Sequence, residues 1–184
     1  MRTIGIFSGS SYIGNANSDI VSELRTIAQQ LPLEYRIAYG GGDSGLMGII
    51  PTEYALRGGD VVGHNAAMFV NDICTYPGVQ FTYDTFEERQ SSLIRSSDII
   101  LALPGGVGTT YEILDVCVKN DLNLWEDHKR RSVILYNYRG FFSHFVLYLQ
   151  NAQTEGFLKH HVLDNMYVVS SPNQLLDVID TITI

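Results

Sequence analysis

Two glycine-rich segments are the part of this sequence best suited to chemistry. The first, residues 39–48, reads YGGGDSGLMG, and the second, residues 104–112, reads PGGVGTTYE. Each follows a short apolar run typical of a buried strand and precedes a segment with helical spacing. The first amides of a helix have no partner within it, so a turn without side chains at that place can bind an anion closely. The two segments therefore predict contacts with a phosphorylated small molecule.

The second segment could add a catalytic carboxylate to a phosphate site. It lacks the Gly-Lys-Ser/Thr of a P-loop, but its amides and the hydroxyls of Thr109 and Thr110 can surround one phosphate. Glu112 follows within one helical turn, so its carboxylate can reach whatever the phosphate anchors. The alternative is that Glu112 only complements the helix dipole, which contributes about 0.3–1 kcal/mol. We favour a functional role for Glu112.

The first segment also contains the pattern G-x-G-x-x-G, at Gly40, Gly42 and Gly45, with Asp60 further along the chain. After the first strand of a βαβ unit, this pattern predicts a dinucleotide site in which the acidic residue binds ribose. Here it follows the second predicted strand, which argues against the dinucleotide interpretation. Three interpretations stay open: NAD binding, contact with a phosphate or ribose, and a purely structural turn.

The other candidate groups have weaker patterns. Arg89 lies in the sequence Glu-Glu-Arg-Gln, which fits a solvated helical face with local ion pairs as well as it fits a site. The five histidines show no metal-ligand spacing, so no metal site is expected. Cys74 and Cys117 also lack metal or redox spacing. We expect them to be buried free thiols, with a disulfide as the alternative.

Apolar runs and helical periodicities alternate along the chain. The predicted strands are residues 3–7, 35–39, 61–64, 98–103, 132–136 and 166–169, and the predicted helices are 19–30, 46–57, 85–97, 109–119, 141–150 and a last one from 171. Pro51 is expected to kink the second helix or to shift its start. Residues 65–80 carry no readable pattern. This alternation predicts an α/β fold, a doubly wound, Rossmann-like parallel sheet with helices on both faces, in which residues 1–184 form a single domain.

The composition indicates a globular protein and limits its partners. Hydrophobic residues make up 45% of the 184 residues and charged residues 17%. The net charge of −8 argues against a nucleic-acid partner, because nucleic-acid phosphates attract basic surfaces. The longest apolar runs are too short for a membrane span, and the stretch after the N-terminus is too short for a signal peptide. We therefore expect a cytoplasmic protein with no membrane partner.

Taken together, the motifs resemble those of the LOG ("Lonely Guy") family of cytokinin riboside 5′-monophosphate phosphoribohydrolases. The family signature P-G-G-x-G-T-x-x-E corresponds to residues 104–112, and its second hallmark, G-G-G-x-x-G-L-M-G, to residues 40–48. A Gly-Ser-Ser near the end of the first strand corresponds to residues 9–11, and an E-G-F segment to residues 155–157. The arginine of the family's Arg-Lys pair corresponds to Arg89.

The resemblance implies hydrolysis of the N-glycosidic bond of a nucleoside 5′-monophosphate, giving a free base and ribose 5-phosphate without a cofactor. It implies that Arg89 and Glu112 are catalytic. The residues that it implies for contact with the substrate or its phosphate are Gly9, Ser10, Gly41, Gly42, Gly45, Met47, Gln90, Pro104, Gly105, Gly106, Val107, Gly108, Thr109, Thr110 and Tyr111. It also implies a homodimer or a higher homo-oligomer with the site near the subunit interface.

The sequence departs from the family pattern in places that concern the substrate. Gln90 stands where the family has lysine, Phe86 replaces a methionine, and Tyr111 replaces the first glutamate of a Glu-Glu pair. Residues 64–83 lack the family's Pro-x-Glu segment, which helps to shape the base pocket. These departures keep a second hypothesis open, a non-catalytic protein that binds a nucleotide, an ADP-ribose-like ligand or a pterin cofactor.

Members of this family are often labelled lysine decarboxylases, and the sequence argues against that activity. Decarboxylation with pyridoxal phosphate needs a lysine that forms a Schiff base with the cofactor. The three lysines, Lys119, Lys129 and Lys159, all lie outside the glycine-rich segments. We therefore expect no lysine decarboxylase activity.

Overall fold

The computed structural model describes residues 1–11, 18–72 and 78–183, with the side chains of all of these except 70–72 and 183. The strands are β1 (Thr3–Phe7), β2 (Arg36–Tyr39), β3 (Asp60–Ala66), β4 (Val79–Tyr83), β5 (Ile99–Ala102), β6 (Ser132–Tyr136) and β7 (Met166–Val169). The helices are α1 (Asp19–Gln30), α2 (Ile49–Leu56), α3 (Phe86–Arg95), α4 (Val107–Leu122), α5 (Ser143–Thr154) and α6 (Pro172–Thr183). Short 3₁₀ segments lie at Ala67–Asp72, Tyr138–Gly140 and His160–Val162.

The strands form one parallel sheet in the order β4-β3-β2-β1-β5-β6-β7. The chain builds the sheet outward from β1 to β4 and then returns to the other side of β1 with β5. The direction of winding therefore reverses between β1 and β5. In doubly wound proteins, ligands bind at the carboxyl ends of the strands beside such a reversal.

Buried side chains on the two faces of the sheet form two separate core clusters. Because neighbouring residues of a strand point to opposite faces, Ile37 and Leu101 join the cluster under α1, α2 and α6. Ala38 and Ile100 join the cluster under α3, α4 and α5. The interior strands are thus apolar on both sides, which is why the sequence shows continuous apolar runs there. The predicted doubly wound α/β fold is confirmed.

Several elements differ from the predicted ones in their bounds, and one strand was not predicted. Strand β4 occupies the edge of the sheet and is exposed along most of its length, so that it lacks the apolar run by which an interior strand is predicted. Helix α2 begins at Ile49 rather than at 46. Pro51 consequently lies in the first turn, where a helix does not need its missing N–H, and no kink follows.

The start of α3 was predicted correctly and it orients a candidate site residue. Thr85 Oγ1 accepts a hydrogen bond from the backbone amide of Glu88 over 3.1 Å, and the Glu88 carboxylate accepts one from the amide of Thr85 over 3.2 Å. This capping box fixes the first turn of the helix. Arg89 follows directly and points inward, with 8% of its surface exposed.

Candidate functional site

The two glycine segments meet at the loop that follows β1. The amide of Gly9 donates a hydrogen bond to the carbonyl of Pro104 over 3.1 Å, and the amide of Leu46 donates one to the carbonyl of Gly9 over 2.9 Å. A side chain at Gly45 is excluded, because its Cβ would lie 2.4 Å from the Gly9 carbonyl oxygen and its φ is +63°. The carboxyl ends of β1, β2 and β5 are thereby held together at the point where the winding reverses.

The second glycine segment ends in the N-terminus of α4. The first hydrogen bond of this helix runs from the amide of Thr110 to the carbonyl of Gly106, over 3.1 Å. The amides of Val107, Gly108 and Thr109 precede that bond and are the donors that an α-helix leaves without an internal partner. A Cβ at Gly108 would meet nothing within 4 Å, so the approach to these amides is open. This turn has the geometry of an anion site.

Arg89 and Glu112 form a buried ion pair beside this turn. Arg89 Nη1 donates to Glu112 Oε1 over 2.8 Å, and Arg89 Nε donates to the carbonyl of His64 over 3.0 Å. Only 7% of the Glu112 surface is exposed. Burial raises the pKa of the Glu112 carboxyl, while the Arg89 guanidinium acts in the opposite direction and lowers it. The carboxylate is therefore a stronger base than an exposed one.

His64, the residue whose carbonyl holds Arg89, has a buried imidazole on the same face of the sheet as α3. Its Nδ1 lies 2.9 Å from the Tyr83 hydroxyl, which in turn lies 2.6 Å from Ser92 Oγ. Burial, followed by the nearby Arg89 charge, lowers the pKa of His64 from 6.5 to about 4. The imidazole is therefore neutral at pH 7, and no second cation lies against Arg89 from this side.

Two adjoining clefts open at this edge of the sheet. The first, which we call the Glu112 cleft, has a volume of about 280 Å³ and is lined by Ile6, Ser8, Ser10, Gly40, Gly42, Ser44, Met47, Asn65, Phe69, Phe86, Arg89, Gly108, Thr109 and Glu112. The second, which we call the loop cleft, has a volume of about 590 Å³ and is lined by Ser8, Gly9, Ser10, Ser11, Ile20, Leu46, Pro104, Gly105, Gly106, Val107, Gly108, Thr109, Tyr138 and Phe141. They share the residues around the N-terminus of α4.

Most of the sequence-predicted site residues line these clefts, and five do not. Those that do are Gly9, Ser10, Gly42, Met47, Arg89, Pro104, Gly105, Gly106, Val107, Gly108, Thr109 and Glu112. Those that do not are Gly41, Gly45, Gln90, Thr110 and Tyr111.

Three of these five residues shape the two glycine turns, and the other two point away from the clefts or lie buried beside them. Gly41 and Gly45 have positive φ values of 80° and 63° and shape the first turn. The Thr110 hydroxyl donates to the carbonyl of Gly106 over 3.2 Å, which closes the start of α4. Gln90 is buried one residue beyond Arg89, and Tyr111 is 55% exposed on the outer side of α4.

Asp60 is far from its expected place. It begins β3, at the end of the sheet opposite the clefts, and its carboxylate accepts a hydrogen bond from Arg36 Nε over 2.8 Å. An acid that binds ribose would have to follow the strand rather than begin it. The NAD interpretation of the first glycine segment therefore loses its acidic residue.

Several cleft residues were missed from the sequence. Asn65 and Phe69 lie in the stretch that showed no pattern, and Ser8 stands just before the Gly-Ser-Ser motif. Gly40 has a role that only tertiary contact reveals, because a Cβ there would lie 2.2 Å from Arg89 Nη2. The glycine thus leaves room for the arginine across the end of the sheet.

The remaining expectations from the sequence concern the cysteines, a metal site and a membrane span. Cys117 is a buried free thiol, and burial raises its pKa to about 11, whereas Cys74 lies outside the described residues. In residues 1–11, 18–72 and 78–183, no group of His, Cys, Asp and Glu could hold a metal ion. Across those same ranges, the helices are too short or too polar to cross a membrane.

The lysines lie away from both clefts. Lys119 pairs with Asp115 one turn earlier on α4, and Lys159 donates to the Asp121 carboxylate over 2.9 Å. Lys129 is exposed in the segment between α4 and β6. The geometry offers no lysine amine to a ligand in either cleft.

The fold and the site define a class, that of Rossmann-like α/β proteins with an open helix N-terminus at the reversal of the sheet and a buried arginine–glutamate ion pair beside it. The family model described as "possible lysine decarboxylase" matches residues 47–179. Cytokinin riboside 5′-monophosphate phosphoribohydrolase LOG2 of Arabidopsis thaliana is 31% identical over 183 residues, 97% of this chain and 83% of the relative. LOG7 of the same plant is 30% identical over 175 residues, 94% of this chain and 77% of the relative. The chain belongs to this family, the LOG family.

Solved structures with a similar fold come from more distant proteins. The molybdenum cofactor binding protein of Rippkaea orientalis superposes with a TM-score of 0.72 at 17% identity, covering 100% of this chain and 98% of that one. The molybdenum cofactor carrier protein of Chlamydomonas reinhardtii gives 0.70 at 14% identity, covering 98% of each chain. At these identities the likeness establishes the shared fold alone.

Proposed function

We propose that this protein hydrolyses the N-glycosidic bond of a nucleoside 5′-monophosphate, releasing the base and ribose 5-phosphate. The observation that carries the proposal is the buried Arg89–Glu112 pair, with 2.8 Å between Nη1 and Oε1, in the same cleft as the open N-terminus of α4. Relatives that are about one-third identical over nearly the whole chain are named as phosphoribohydrolases of this kind. A phosphate site beside a basic carboxylate is the minimum that such a reaction requires.

The phosphate would bind at the N-terminus of α4. The free amides of Val107, Gly108 and Thr109 point outward from that turn, and Thr109 presents a hydroxyl next to them. A test of this position is Gly108→Ala. The new methyl group meets nothing in the protein and favours the helix by up to about 1 kcal/mol, so folding should be unharmed. Binding of the monophosphate should weaken because the methyl group enters the approach to the amides.

Glu112 would then act at the anomeric carbon. Cleavage of the bond between C1′ and the base nitrogen develops positive charge on the ribose ring, and a carboxylate stabilises that charge. Glu112 would accept a proton from the attacking water, whose oxygen bonds to C1′, while the bonding electrons leave with the base nitrogen. The base nitrogen takes up a proton as the free base departs. Arg89 would hold the Glu112 carboxylate in place and keep it ionised.

The apolar side chains of the Glu112 cleft suit a planar base. Met47, Phe69 and Phe86 supply apolar surface there, and Asn65 supplies a buried amide. The backbone amide of Ala66 donates to Asn65 Oδ1 over 2.9 Å and fixes the side chain, whereas Asn65 Nδ2 makes only a long contact of 3.5 Å with the carbonyl of Phe69 and would be available to a ligand. An apolar pocket with a few polar groups is typical of a site that binds a small planar ligand such as a nucleobase.

The deciding experiment is a product assay with the purified protein. AMP, isopentenyladenosine monophosphate, the other common nucleoside monophosphates and ADP-ribose are incubated separately, and free base and ribose 5-phosphate are measured by chromatography. Release of both products in equal amounts from at least one monophosphate supports the proposal. Tight binding of a monophosphate by the unmodified protein, with no release of base or ribose 5-phosphate, would contradict the proposal.

A second candidate function is binding without cleavage. It is favoured by the loop cleft, which is larger than the Glu112 cleft and continues beyond the N-terminus of α4, so a ligand could extend past its phosphate. Two proteins of this fold are titled as a molybdenum cofactor binding protein and a carrier protein. The same panel separates the two functions, because a carrier would prefer the larger ligand and release no base.

We also propose that the protein is a homodimer that associates through α4. The outer side of this helix carries Val107, Tyr111, Leu114, Val118 and Leu122, which are between 37% and 87% exposed. Their spacing of three or four residues places them in one apolar stripe, opposite the side that holds Glu112. A stripe of this kind along a whole helix is typical of a face that a partner covers. Since the stripe begins at Val107, the site would lie next to the interface.

A further inference from the structure

Ser8 has a hydroxyl that the fold leaves without a partner. It follows β1, the middle strand of the sheet, and its Oγ is buried with no hydrogen bond to any described residue. A buried polar group in that state costs about 1–3 kcal/mol, and native proteins rarely keep one without a reason. Ser97 shows the ordinary arrangement, because its buried Oγ donates to the carbonyl of Leu93 over 2.7 Å.

The position of Ser8 explains what the hydroxyl is for. Ser8, Ser10, Gly108 and Thr109 are the residues that line both clefts, so they surround the junction between them. Three of the four carry hydroxyls, and Gly108 offers a free amide at the N-terminus of α4. Glu112 lies only in the first cleft. The junction is therefore a group of hydrogen-bond donors without a carboxylate among them, which is the environment that a phosphate requires.

We propose that Ser8 Oγ donates a hydrogen bond to the phosphate of the bound ligand and thereby positions the ribose for Glu112. The inference rests on the proposed function only in requiring a phosphorylated ligand, and it adds a binding residue that the sequence motifs did not include. A phosphate held at the junction by both Ser8 and the first turn of α4 would lie next to the Glu112 cleft, which would receive the attached ribose. The ligand-free protein carries an unsatisfied hydroxyl, and the ligand satisfies it.

This arrangement predicts opposite effects on stability and affinity in the variant Ser8→Ala. Removing the hydroxyl removes a buried group without a partner, so the ligand-free variant should melt at the same temperature as the parent or higher. The affinity for AMP should fall about 10-fold, because a hydrogen bond to a charged group is lost. The affinity for adenosine, which has no phosphate, should stay the same.

The matched control is Ser97→Ala, at a buried serine whose hydroxyl has a partner. This variant should lower the melting temperature and leave both affinities unchanged. Ser8→Cys keeps the size of the side chain with a weaker donor, and its affinity for AMP should fall between those of the parent and Ser8→Ala. Affinities are measured by titration calorimetry with AMP, adenosine and ribose 5-phosphate, using proteins that also carry Glu112→Gln wherever AMP is hydrolysed, and stability by thermal denaturation without ligand.

Each result has a definite meaning. The inference is overturned if Ser8→Ala binds AMP as tightly as the parent, or if its affinity for adenosine falls by the same factor as its affinity for AMP. It is also overturned if the parent binds neither AMP nor ribose 5-phosphate. A parent that binds AMP through Ser8 without hydrolysing it supports the inference and contradicts the proposed function, so the two can fail separately.

Discussion

Arg89 and Glu112 come from different helices, α3 and α4, and meet over 2.8 Å between Nη1 and Oε1 at the carboxyl end of the sheet. The pair is almost completely buried, yet both residues line a cleft that a small molecule can enter. An ion pair in such a place contributes little net stability, because removing two charges from water opposes their attraction. Its position therefore points to chemistry more than to folding.

Replacing the carboxylate should separate catalysis from binding. In Glu112→Gln the amide oxygen can still accept a hydrogen bond from Arg89, but the side chain can neither take a proton from water nor stabilise a positive ribose. We expect kcat for the best monophosphate to fall about 100-fold or more, with its affinity changed little. Steady-state kinetics and equilibrium titration measure the two effects.

The control for this variant is Asp115→Asn, which removes a carboxylate from the same helix outside the cleft. It should keep the parent kcat. If Glu112→Gln hydrolyses the substrate at the parent rate, Glu112 has no part in the chemistry.

Gly45 should be among the least replaceable residues of the first turn. Alanine there combines a φ of +63° with a Cβ placed 2.4 Å from the Gly9 carbonyl oxygen, so the loop after β1 would have to move. We expect Gly45→Ala to lower the free energy of unfolding by about 2–4 kcal/mol, as measured by urea denaturation. Gly58→Ala is the comparison, because φ is +86° but nothing lies within 4 Å, and it should cost about 1 kcal/mol. Equal losses in the two variants would show that the contact with Gly9 does not matter.

His64 should make the stability depend on pH under mildly acidic conditions. Burial and, to a smaller extent, the charge of Arg89 lower the pKa of His64 from 6.5 to about 4. Between these pH values, His64 binds a proton in the unfolded chain but not in the folded protein. This contribution to stability is present in full above pH 6.5 and is lost as the pH falls toward about 4. The loss amounts to about 2–3 kcal/mol. Urea denaturation across this range measures it.

The variant His64→Gln should flatten that part of the profile, because glutamine does not titrate. His144→Gln, at an exposed position of α5, should keep the slope of the parent. A parent profile that is already flat between these pH values would contradict the assignment.

The proposed dimer can be broken at the centre of the apolar stripe. Val118→Glu places a charge on a face that would be buried between two copies of α4, and a charge without a partner in such a place is strongly unfavourable. We expect the dimer dissociation constant to rise about 10-fold or more, measured by analytical ultracentrifugation. Leu56→Glu, on the exposed side of α2, should leave association unchanged. A parent that sediments as a monomer would remove the basis for this interface.

The sequence predicted best those parts whose patterns arise from local contacts. Strands β1, β6 and β7 were predicted with their observed ends, and the capping box of α3 was predicted from Thr85 and Glu88. The edge strand β4 was missed because its exposed residues follow no apolar pattern. In the candidate site, the positions of Glu112 and of the glycine turn before α4 beside the clefts follow from a continuous motif. The space that Gly40 leaves for Arg89 depends on two segments that are far apart in the sequence, so no local pattern could predict it.

The contact between Gly9 and Gly105 restricts how this family member could change. A Cβ at Gly9 would lie 3.0 Å from Gly105 Cα, and one at Gly105 would lie 2.8 Å from the Gly9 amide nitrogen. A side chain at Gly105 would force its neighbours apart, and one at Gly9 would require Gly105 to shift by a few tenths of an ångström, so the close approach of β1 and β5 favours glycine at both positions. Under the proposed function, evolution toward a new ligand would therefore keep this part of the proposed phosphate site constant. Diversity in the recognised base would arise among Met47, Phe69 and Phe86, which line the Glu112 cleft but not the loop cleft.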